Sequence, residues 1–331
     1  MTIRRIWLDR DPLGKQQWAD FLITAGLFPD EQLDYTIGIY EQEKLIGTGS
    51  IFRNILKCVA IDASYQNENL LTQIVQALRE RLRDIDYQHY FLYTKPKTSQ
   101  LFHSLGFTEI AATSDLVFME QGFPDFNDYL TELKKQQRKT KNNAAIVMNA
   151  NPFTNGHLYL VTEAAKSVET VYLFVLSEER SLFDAKTRFE LVKKGTKHLE
   201  NVVVLPTREY MVSSATFPSY FLKDQAKASI AQVQAVLDAT LFKEKIASAL
   251  SISTRFVGEE PFSEVTEIYN QAMKKTFGSA LKLVILPRKK SGEEVISASR
   301  VRALMDEKNY AAIKALVPPT TFEAITKQNN K

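Results

Sequence analysis

The sequence predicts an α/β protein of two domains, residues 1–140 and 141–331, and the second contains a doubly wound parallel sheet. The length of 331 residues is enough for two separate hydrophobic cores. Short strands rich in Val and Ile alternate with helical segments in the second half, as in a parallel sheet covered on both faces. A basic run from Lys134 to Lys141 precedes this half, so we place the boundary at residue 140.

The pattern of the first half predicts a sheet whose first strands form hairpins and whose later strands alternate with helices. The predicted helix Leu70–Leu82 has apolar residues three and four positions apart, which is the spacing of one buried face. The predicted strands are Tyr35–Tyr40, Leu45–Phe52, Leu56–Ile61, Tyr90–Thr94 and one that begins at Phe107, and a further helix covers Ser99–Leu105.

The second half alternates strand and helix. The predicted strands are Ala144–Asn149, Val171–Leu176, Val202–Leu205, Arg255–Val257 and Leu281–Leu286, and the predicted helices are His157–Val168, Lys186–Leu199, Lys223–Leu237 and Leu241–Leu250. In parallel sheets of this kind, ligands bind at the carboxyl ends of the strands. The segments that follow these strands are therefore the first place to look for a site.

Composition excludes several classes of protein. The net charge of +3, from 42 basic and 39 acidic residues, is too balanced to indicate a nucleic-acid partner. We expect no membrane partner, because no stretch approaches the roughly 20 apolar residues of a membrane helix. The single cysteine, Cys58, excludes an internal disulfide framework. It favours a reducing compartment, and we expect the cytoplasm.

The junction between the first strand and first helix of the second half is a candidate phosphate site. It reads NANPFTNGH from Asn149 to His157. A helix N-terminus offers unpaired N–H groups and a positive dipole, both of which suit a phosphate. Gly156 lacks a Cβ, so a ligand can approach the backbone closely, while Thr154 and His157 lie on the same turn. From its position alone, the histidine has a capping or surface role as an alternative.

Two separated strings carry a family resemblance. Pro152–His157 resembles the (H/T)xGH motif of the nucleotidylyltransferase superfamily, in its threonine form. That superfamily has a second signature, ISxT/SxxR, and here Ile296–Arg302 reads ISASRVR after the last predicted strand. Two motifs in the expected order are far more specific than either motif alone, and they identify the second half as similar to this superfamily.

The resemblance implies ATP as the nucleotide and Mg²⁺ held by phosphate oxygens and water, with no metal site of protein side chains. Thr154 and His157 are implied to contact the α-phosphate, and Arg302 the outer phosphates. The implied nucleotide-binding residues are Asn151, Pro152, Phe153, Gly156, Lys186, Arg188, Gly258, Glu259, Ile296, Ser297 and Ser299. For Lys186 and Arg188 a solvated helix face is the alternative, and for Glu259 and Glu260 a loop or capping carboxylate.

Longer strings narrow the resemblance to the citrate lyase ligase family across essentially the whole chain. They are Asn149–Val161, Glu209–Phe221, Leu237–Leu250 and Phe256–Phe262. The resemblance implies that ATP and acetate form acetyl-adenylate and pyrophosphate. A thiol on the CoA-like prosthetic group of the citrate lyase acyl carrier subunit then takes the acetyl group, and AMP leaves. A pocket near Tyr210–Phe221 is expected to select acetate, with Phe217 as its test position.

The first half resembles GNAT acetyltransferases in Val59–Leu71 and Leu101–Phe107. The phosphate loop of that family requires glycines, but the segment after Gln66 has none, and Glu68 adds a negative charge. We therefore expect a GNAT-like domain that does not work as an acetyltransferase. It is expected to dock the CoA-like prosthetic group or the carrier subunit.

Two other functions stay open on the sequence. One is an adenylyltransferase acting on a phosphorylated pantetheine or nucleotide, which the TNGH string alone would permit. The other is a non-catalytic regulator that senses a nucleotide. A dinucleotide product would indicate the adenylyltransferase, and nucleotide binding without turnover would indicate the regulator.

Overall fold

A computed structural model describes residues 1–65, 69–177, 181–211, 227–259, 264–292 and 294–328. The described residues of Met1–Tyr129 and Ala215–Leu241 form one compact unit, here unit 1. Those of Leu130–Ser214 and Phe242–Lys331 form unit 2. The two units are divided after Tyr129, and a helix later in the chain belongs to unit 1. The boundary between two functional domains at residue 140 stays a prediction.

The elements up to residue 135 match the predicted ones to within a few residues and add four others. They are β1 (Thr2–Arg5), α1 (Pro12–Thr24), β2 (Tyr35–Glu41), β3 (Lys44–Phe52), β4 (Ile55–Ile61), α2 (Leu70–Asp84), β5 (His89–Thr94), α3 (Pro96–Ser104), β6 (Thr108–Ala112), β7 (Val117–Gly122) and α4 (Phe126–Lys135). The sequence reading missed β1, α1, β7 and α4. The apolar residues of α1 are spread around the helix, which weakens its periodic signal, whereas α4 is clearly amphipathic and its omission was an error of prediction.

Unit 1 is built on a seven-stranded mixed sheet in the order β1-β2-β3-β4-β5-β7-β6. Its neighbouring strands are antiparallel except β4 and β5, which are parallel. In that parallel pair Ile55 lies opposite Phe91, and Leu56 lies opposite Leu92. The predicted buried face of α2 is confirmed, because Ile74, Leu78 and Leu82 are fully buried in the main core of this unit.

The later elements include all five predicted strands. In order, these elements are β8 (Asn143–Met148), α5 (Asn155–Ser167), β9 (Thr170–Val175), α6 (Ala185–Gly195), β10 (Val202–Pro206), α7 (Lys227–Leu241), α8 (Ser248–Leu250), β11 (Ile252–Gly258), α9 (Glu264–Phe277), β12 (Lys282–Leu286), β13 (Lys290–Ser291), β14 (Glu294–Val295), α10 (Ala298–Asp306), α11 (Tyr310–Leu316) and α12 (Pro319–Gln328). Of these, α9, β13, β14, α11 and α12 were not predicted. A π-helical segment, Phe242–Ala247, joins α7 to α8.

One helix was assigned to the wrong neighbours. The predicted helix Lys223–Leu237 is described from Lys227 onward as α7, and it packs against β6 of unit 1 rather than covering the parallel sheet. Its apolar residues fit either partner, so the local pattern could not decide between them.

Unit 2 contains a five-stranded parallel sheet in the order β10-β9-β8-β11-β12. Every residue of β9 is buried, as expected for a strand with both faces covered. From β8 the chain proceeds to β9 and β10 on one side, and later continues with β11 and β12 on the other. The switch point between β8 and β11 is where such sheets bind ligands, and the predicted α/β class with a doubly wound sheet is confirmed.

No helix in the described part of the chain is long and apolar enough to cross a membrane.

Candidate active site

The turn between β8 and α5 holds Thr154 and His157 in a reciprocal capping arrangement. Thr154 is the N-cap residue and its hydroxyl oxygen accepts from the His157 backbone N–H at 3.3 Å. The Thr154 backbone N–H donates to His157 Nδ1 at 3.0 Å. These two bonds satisfy helix-end donors and fix both side chains at the switch point of the sheet.

The same bonds set the protonation state of His157. A backbone N–H can only donate, so Nδ1 is an acceptor and the neutral ring carries its proton on Nε2. Burial, and secondly the positive charge of Arg288, lower the pKa of His157 to about 4. At neutral pH His157 is therefore an uncharged hydrogen-bond donor, which suits the stabilisation of negative charge on a phosphate.

The second motif begins α10 beside the first motif. Ser297 is the N-cap of α10, and its hydroxyl accepts from the Arg300 backbone N–H at 3.1 Å. A Cβ placed on Gly156 would lie 3.1 Å from the Ile296 carbonyl oxygen. A side chain at residue 156 would therefore press on the Ile296 backbone. The two motifs, distant in sequence, form one site.

Arg302 bridges the two motifs directly. Its guanidinium donates to the Asn151 carbonyl oxygen at 2.6 Å and to the Ser299 hydroxyl at 3.1 Å. The Asn151 side chain in turn accepts from the Phe183 backbone N–H at 3.1 Å. Arg302, Ser299 and Asn151 are therefore brought together, with Ser299 exposed to incoming ligand.

Two residues of the first motif lie beneath the site. Pro152 and Phe153 are buried, and the Phe153 ring is stacked on His157 with 5.9 Å between centroids. A Cβ on Gly195 would lie 2.6 Å from the same ring. The side chains of Pro152 and Phe153 thus support the loop and the imidazole by packing.

Arg188 is enclosed by protein groups. Its side chain is fully buried and donates to the carbonyl oxygens of Phe183, Asn149 and Leu176 at 3.0, 2.8 and 2.6 Å. The alternative of a solvated helix face is therefore wrong for Arg188, and its contact with the nucleotide stays a prediction. Lys186, on the first turn of α6, is exposed.

Gly258 is the last residue of β11, and a Cβ placed on it would meet no atom of the described residues within 4 Å. Glu259 is exposed. The Glu259 backbone N–H donates to the Leu286 carbonyl at 2.8 Å, which joins the ends of β11 and β12. The nucleotide-binding role of Gly258 and Glu259 stays a prediction, and Glu260 lies outside the described residues.

The sequence reading missed Arg288. This residue lies just after β12 and is half-buried, and its Nε donates to the Glu259 carbonyl oxygen at 2.6 Å. Its charge is close enough to His157 to lower the histidine pKa. It belongs to neither motif, and its position just past a predicted strand end was the available signal.

Comparison with known proteins then identifies the family. A family model described as "Citrate lyase ligase C-terminal domain" matches residues 143–325. The curated "[Citrate [pro-3S]-lyase] ligase" of Klebsiella pneumoniae is 37% identical over 97% of this chain and 95% of its own length. The Escherichia coli (strain K12) protein of the same name is 37% identical over 92% of this chain and 88% of its own. The chain belongs to the citrate lyase ligase family. The prediction of a ligase enzyme is thereby confirmed.

More distant similarities concern parts of this family member. "Phosphopantetheine adenylyltransferase" of Clostridium botulinum (strain Eklund 17B / Type B) is 34% identical over 27% of the chain and 53% of its own length. An aminoglycoside 6'-N-acetyltransferase complexed with coenzyme A covers 38% of the chain and all of its own, with 14% identity and a TM-score of 0.33. Thermotoga maritima TmcAL bound with alpha-thio ATP covers 57% and 56%, with 17% identity and a TM-score of 0.35. These similarities cover parts of the chain, and the GNAT-like and nucleotidylyltransferase-like identity of its two halves stays a prediction.

Unit 1 of this citrate lyase ligase family member contains a cleft of its own, of about 760 Å³. It lies where β4 and β5 separate beyond their two paired positions, and it is lined by Val59 and Ile61 on one side and Tyr93 on the other. Leu101 on α3 also lines it and is 52% exposed. The parallel pairing of β4 and β5 therefore stops where the cleft begins.

Some predicted features fall outside the described residues. They are the loop Gln66, Asn67 and Glu68, and the expected acetate pocket from residue 212 onward, including Phe217. Within the described ranges, no group of three or more His, Cys, Asp or Glu side chains is arranged to hold a metal ion.

Proposed function

We propose that this enzyme uses ATP and acetate to form acetyl-adenylate and then acetylates the thiol prosthetic group on the citrate lyase acyl carrier subunit. An acetate oxygen attacks the α-phosphorus, and the bond to the β-phosphate bridging oxygen breaks, which releases pyrophosphate. The thiolate then attacks the acetyl carbon, and AMP leaves as the carbon–oxygen bond breaks. The observation that carries this proposal is the meeting of the two motifs around a neutral His157 with its proton on Nε2.

The chemistry fits a site without a general base. Acetate is already ionised near neutral pH, since a carboxyl pKa is about 4. The demand on the enzyme is to orient two anions and to stabilise charge at the α-phosphate. Thr154 and the Nε2 proton of His157, at the positive end of the α5 dipole, are suited to that role.

We assign the outer phosphates of ATP to the start of α10 and its neighbours. Ser297, Ser299 and Arg302 lie together there, and Lys186 is an exposed cation available to the same phosphates. Mg²⁺ is proposed to bind phosphate oxygens and water, because this ion keeps several waters and needs few protein ligands. It would supply further neutralisation of phosphate charge.

The test is acetate-dependent exchange of labelled pyrophosphate into ATP, with purified protein and Mg²⁺ and then with citrate lyase added. Exchange that requires acetate supports reversible formation of an acyl-adenylate. Exchange that requires a phosphorylated pantetheine instead would support the adenylyltransferase alternative. Absence of exchange both with and without citrate lyase would overturn the proposal.

We further propose that the unit 1 cleft receives the CoA-like arm of the carrier subunit. Leu101, exposed on the cleft, is the probe position, and Leu13 on α1, 78% exposed and not part of the cleft lining, is its control. Leu101→Glu should slow acetylation of the carrier at least tenfold and leave acetate-dependent exchange unchanged. Leu13→Glu should change neither rate. Equal carrier acetylation by both variants would contradict this assignment.

A further inference from the structure

Two hydrogen bonds hold Arg288 within the candidate active site, one from its own side chain and one to the backbone of the next residue. The Arg288 Nε donates to the Glu259 carbonyl oxygen at 2.6 Å, which ties it to the end of β11. The carbonyl of the next residue, Lys289, accepts from the Ile296 backbone N–H at 3.0 Å. Ile296 is the residue whose carbonyl closes against Gly156. The Arg288 side chain is thus fixed to the end of β11, and the backbone of the next residue is fixed to Ile296 of the second motif.

Because His157 is neutral, it brings no positive charge to the α-phosphate that we propose it contacts. The α-phosphate of ATP is an anion, and acetate must approach it as a second anion, so a fixed cation lowers the repulsion between them. Thr154 and His157 offer hydrogen bonds without charge, and Arg302, which bonds to Asn151 and Ser299, is assigned to the outer phosphates. Arg288 places a positive charge near His157.

We propose that Arg288 is a further catalytic residue, whose guanidinium donates hydrogen bonds to a non-bridging oxygen of the ATP α-phosphate beside His157. The Nε bond to Glu259 ties the guanidinium to the end of β11. Arginine suits this role because its rigid set of donors matches phosphate oxygens and it remains charged when partly buried. This inference rests on the proposed function, because it names a contact to ATP in that reaction.

The first experiment compares Arg288→Ala and Arg288→Lys with Lys290→Ala in acetate-dependent pyrophosphate exchange. Lys290 is exposed on β13, and Lys290→Ala removes one positive charge from a neighbouring segment. Arg288→Ala should lower kcat about a hundredfold and change KM for ATP less than tenfold, since the contact strengthens in the transition state. Arg288→Lys should fall between, and Lys290→Ala should match the wild type.

Chemical rescue separates a catalytic contact from a purely structural one. Guanidinium ion, added at concentrations that leave the fold intact, should raise the exchange activity of Arg288→Ala at least tenfold. It should not raise the activity of His157→Ala. A loss below threefold in Arg288→Ala would overturn the proposal. A larger loss with a lowered Tm and no rescue would also overturn it, and would make Arg288 a clamp between β11 and β12.

A second measurement does not depend on the reaction. NMR titration of the four histidines, with His157 assigned through His157→Asn, should show a raised His157 pKa in Arg288→Ala, and ATP should bind that variant more weakly. Both results in a protein that shows no exchange would mean that the proposed reaction fails while Arg288 is a nucleotide contact. An unmoved His157 pKa with unchanged ATP affinity would overturn the Arg288 proposal, whichever reaction the enzyme performs.

Discussion

Two helix N-termini, each following a strand in its own unit, show different degrees of preparation for a phosphate. The start of α5 in unit 2 has the reciprocal bonds between Thr154 and His157 and a glycine against a second motif. The start of α2 in unit 1 has Asn69 at its N-cap with a φ of 58°, and this residue makes no side-chain capping bond. The dipole is common to both helices, while the fixed polar side chains are present at α5.

A helix dipole by itself is a weak recognition element. Exposed charge near a helix end contributes about 0.3–1 kcal/mol. Discrimination and catalysis need donors that are already oriented when the ligand arrives. At α5 these donors are held by bonds within the turn and by packing on Phe153. Substitutions at one helix N-terminus at a time test whether these oriented donors matter.

The largest effect is expected at the α5 end. Thr154→Ala and His157→Ala should each lower acetate-dependent pyrophosphate exchange about a hundredfold or more, equivalent to about 3 kcal/mol of transition-state stabilisation. Thr154→Ser keeps both the hydroxyl and the cap, so it should retain most of the activity. Losses below threefold in both alanine variants would remove α5 as the centre of the site.

The lowered pKa of His157 makes stability depend on pH in a defined window. The folded chain leaves His157 neutral down to about pH 4, whereas the unfolded chain protonates it below its ordinary value of 6.5. The unfolded state therefore binds more protons in between, and stability falls as pH falls through this window.

Relative to His157→Asn, the wild type should lose up to about 3 kcal/mol of unfolding free energy between pH 7 and pH 4. Urea unfolding of both proteins at several pH values measures this difference. Parallel pH profiles for the two proteins would show that His157 titrates normally and would contradict the neutral-donor role.

A smaller effect is expected from closing the gap between the motifs. Gly156→Ala places a methyl group 3.1 Å from the Ile296 carbonyl oxygen, which is backbone and moves little. We expect kcat/KM for ATP to fall about tenfold, or about 1.4 kcal/mol, and Tm to fall by a few degrees. Gly258→Ala, whose new methyl group would meet no atom of the described residues within 4 Å, serves as the Tm control and should match the wild type.

The smallest effect is expected at the α2 end. Asn69→Gly removes the cost of a positive φ without removing a capping bond, so it should stabilise unit 1 or leave it unchanged, within about 1 kcal/mol. Exchange of pyrophosphate should not change. A loss of exchange in Asn69→Gly would show that α2 takes part in ATP chemistry and would end the contrast between the two helices.

The sequence by itself determined the features that depend on near neighbours along the chain. The apolar stripe of α2, the short buried strands of unit 2 and the capping residues Thr154 and Ser297 follow from periodicity and local hydrogen bonding. The motif resemblance added the expected chemistry at these positions, and the family was identified correctly from it.

The tertiary structure alone decided which of these local features meet. Gly156 approaches Ile296, Arg188 is enclosed by carbonyl groups rather than solvated, and α7 joins unit 1. Arg288 enters the site from a strand end that carries no motif. Such proximities depend on long-range packing, in which many weak contacts are satisfied together, so no local pattern of residues contains them.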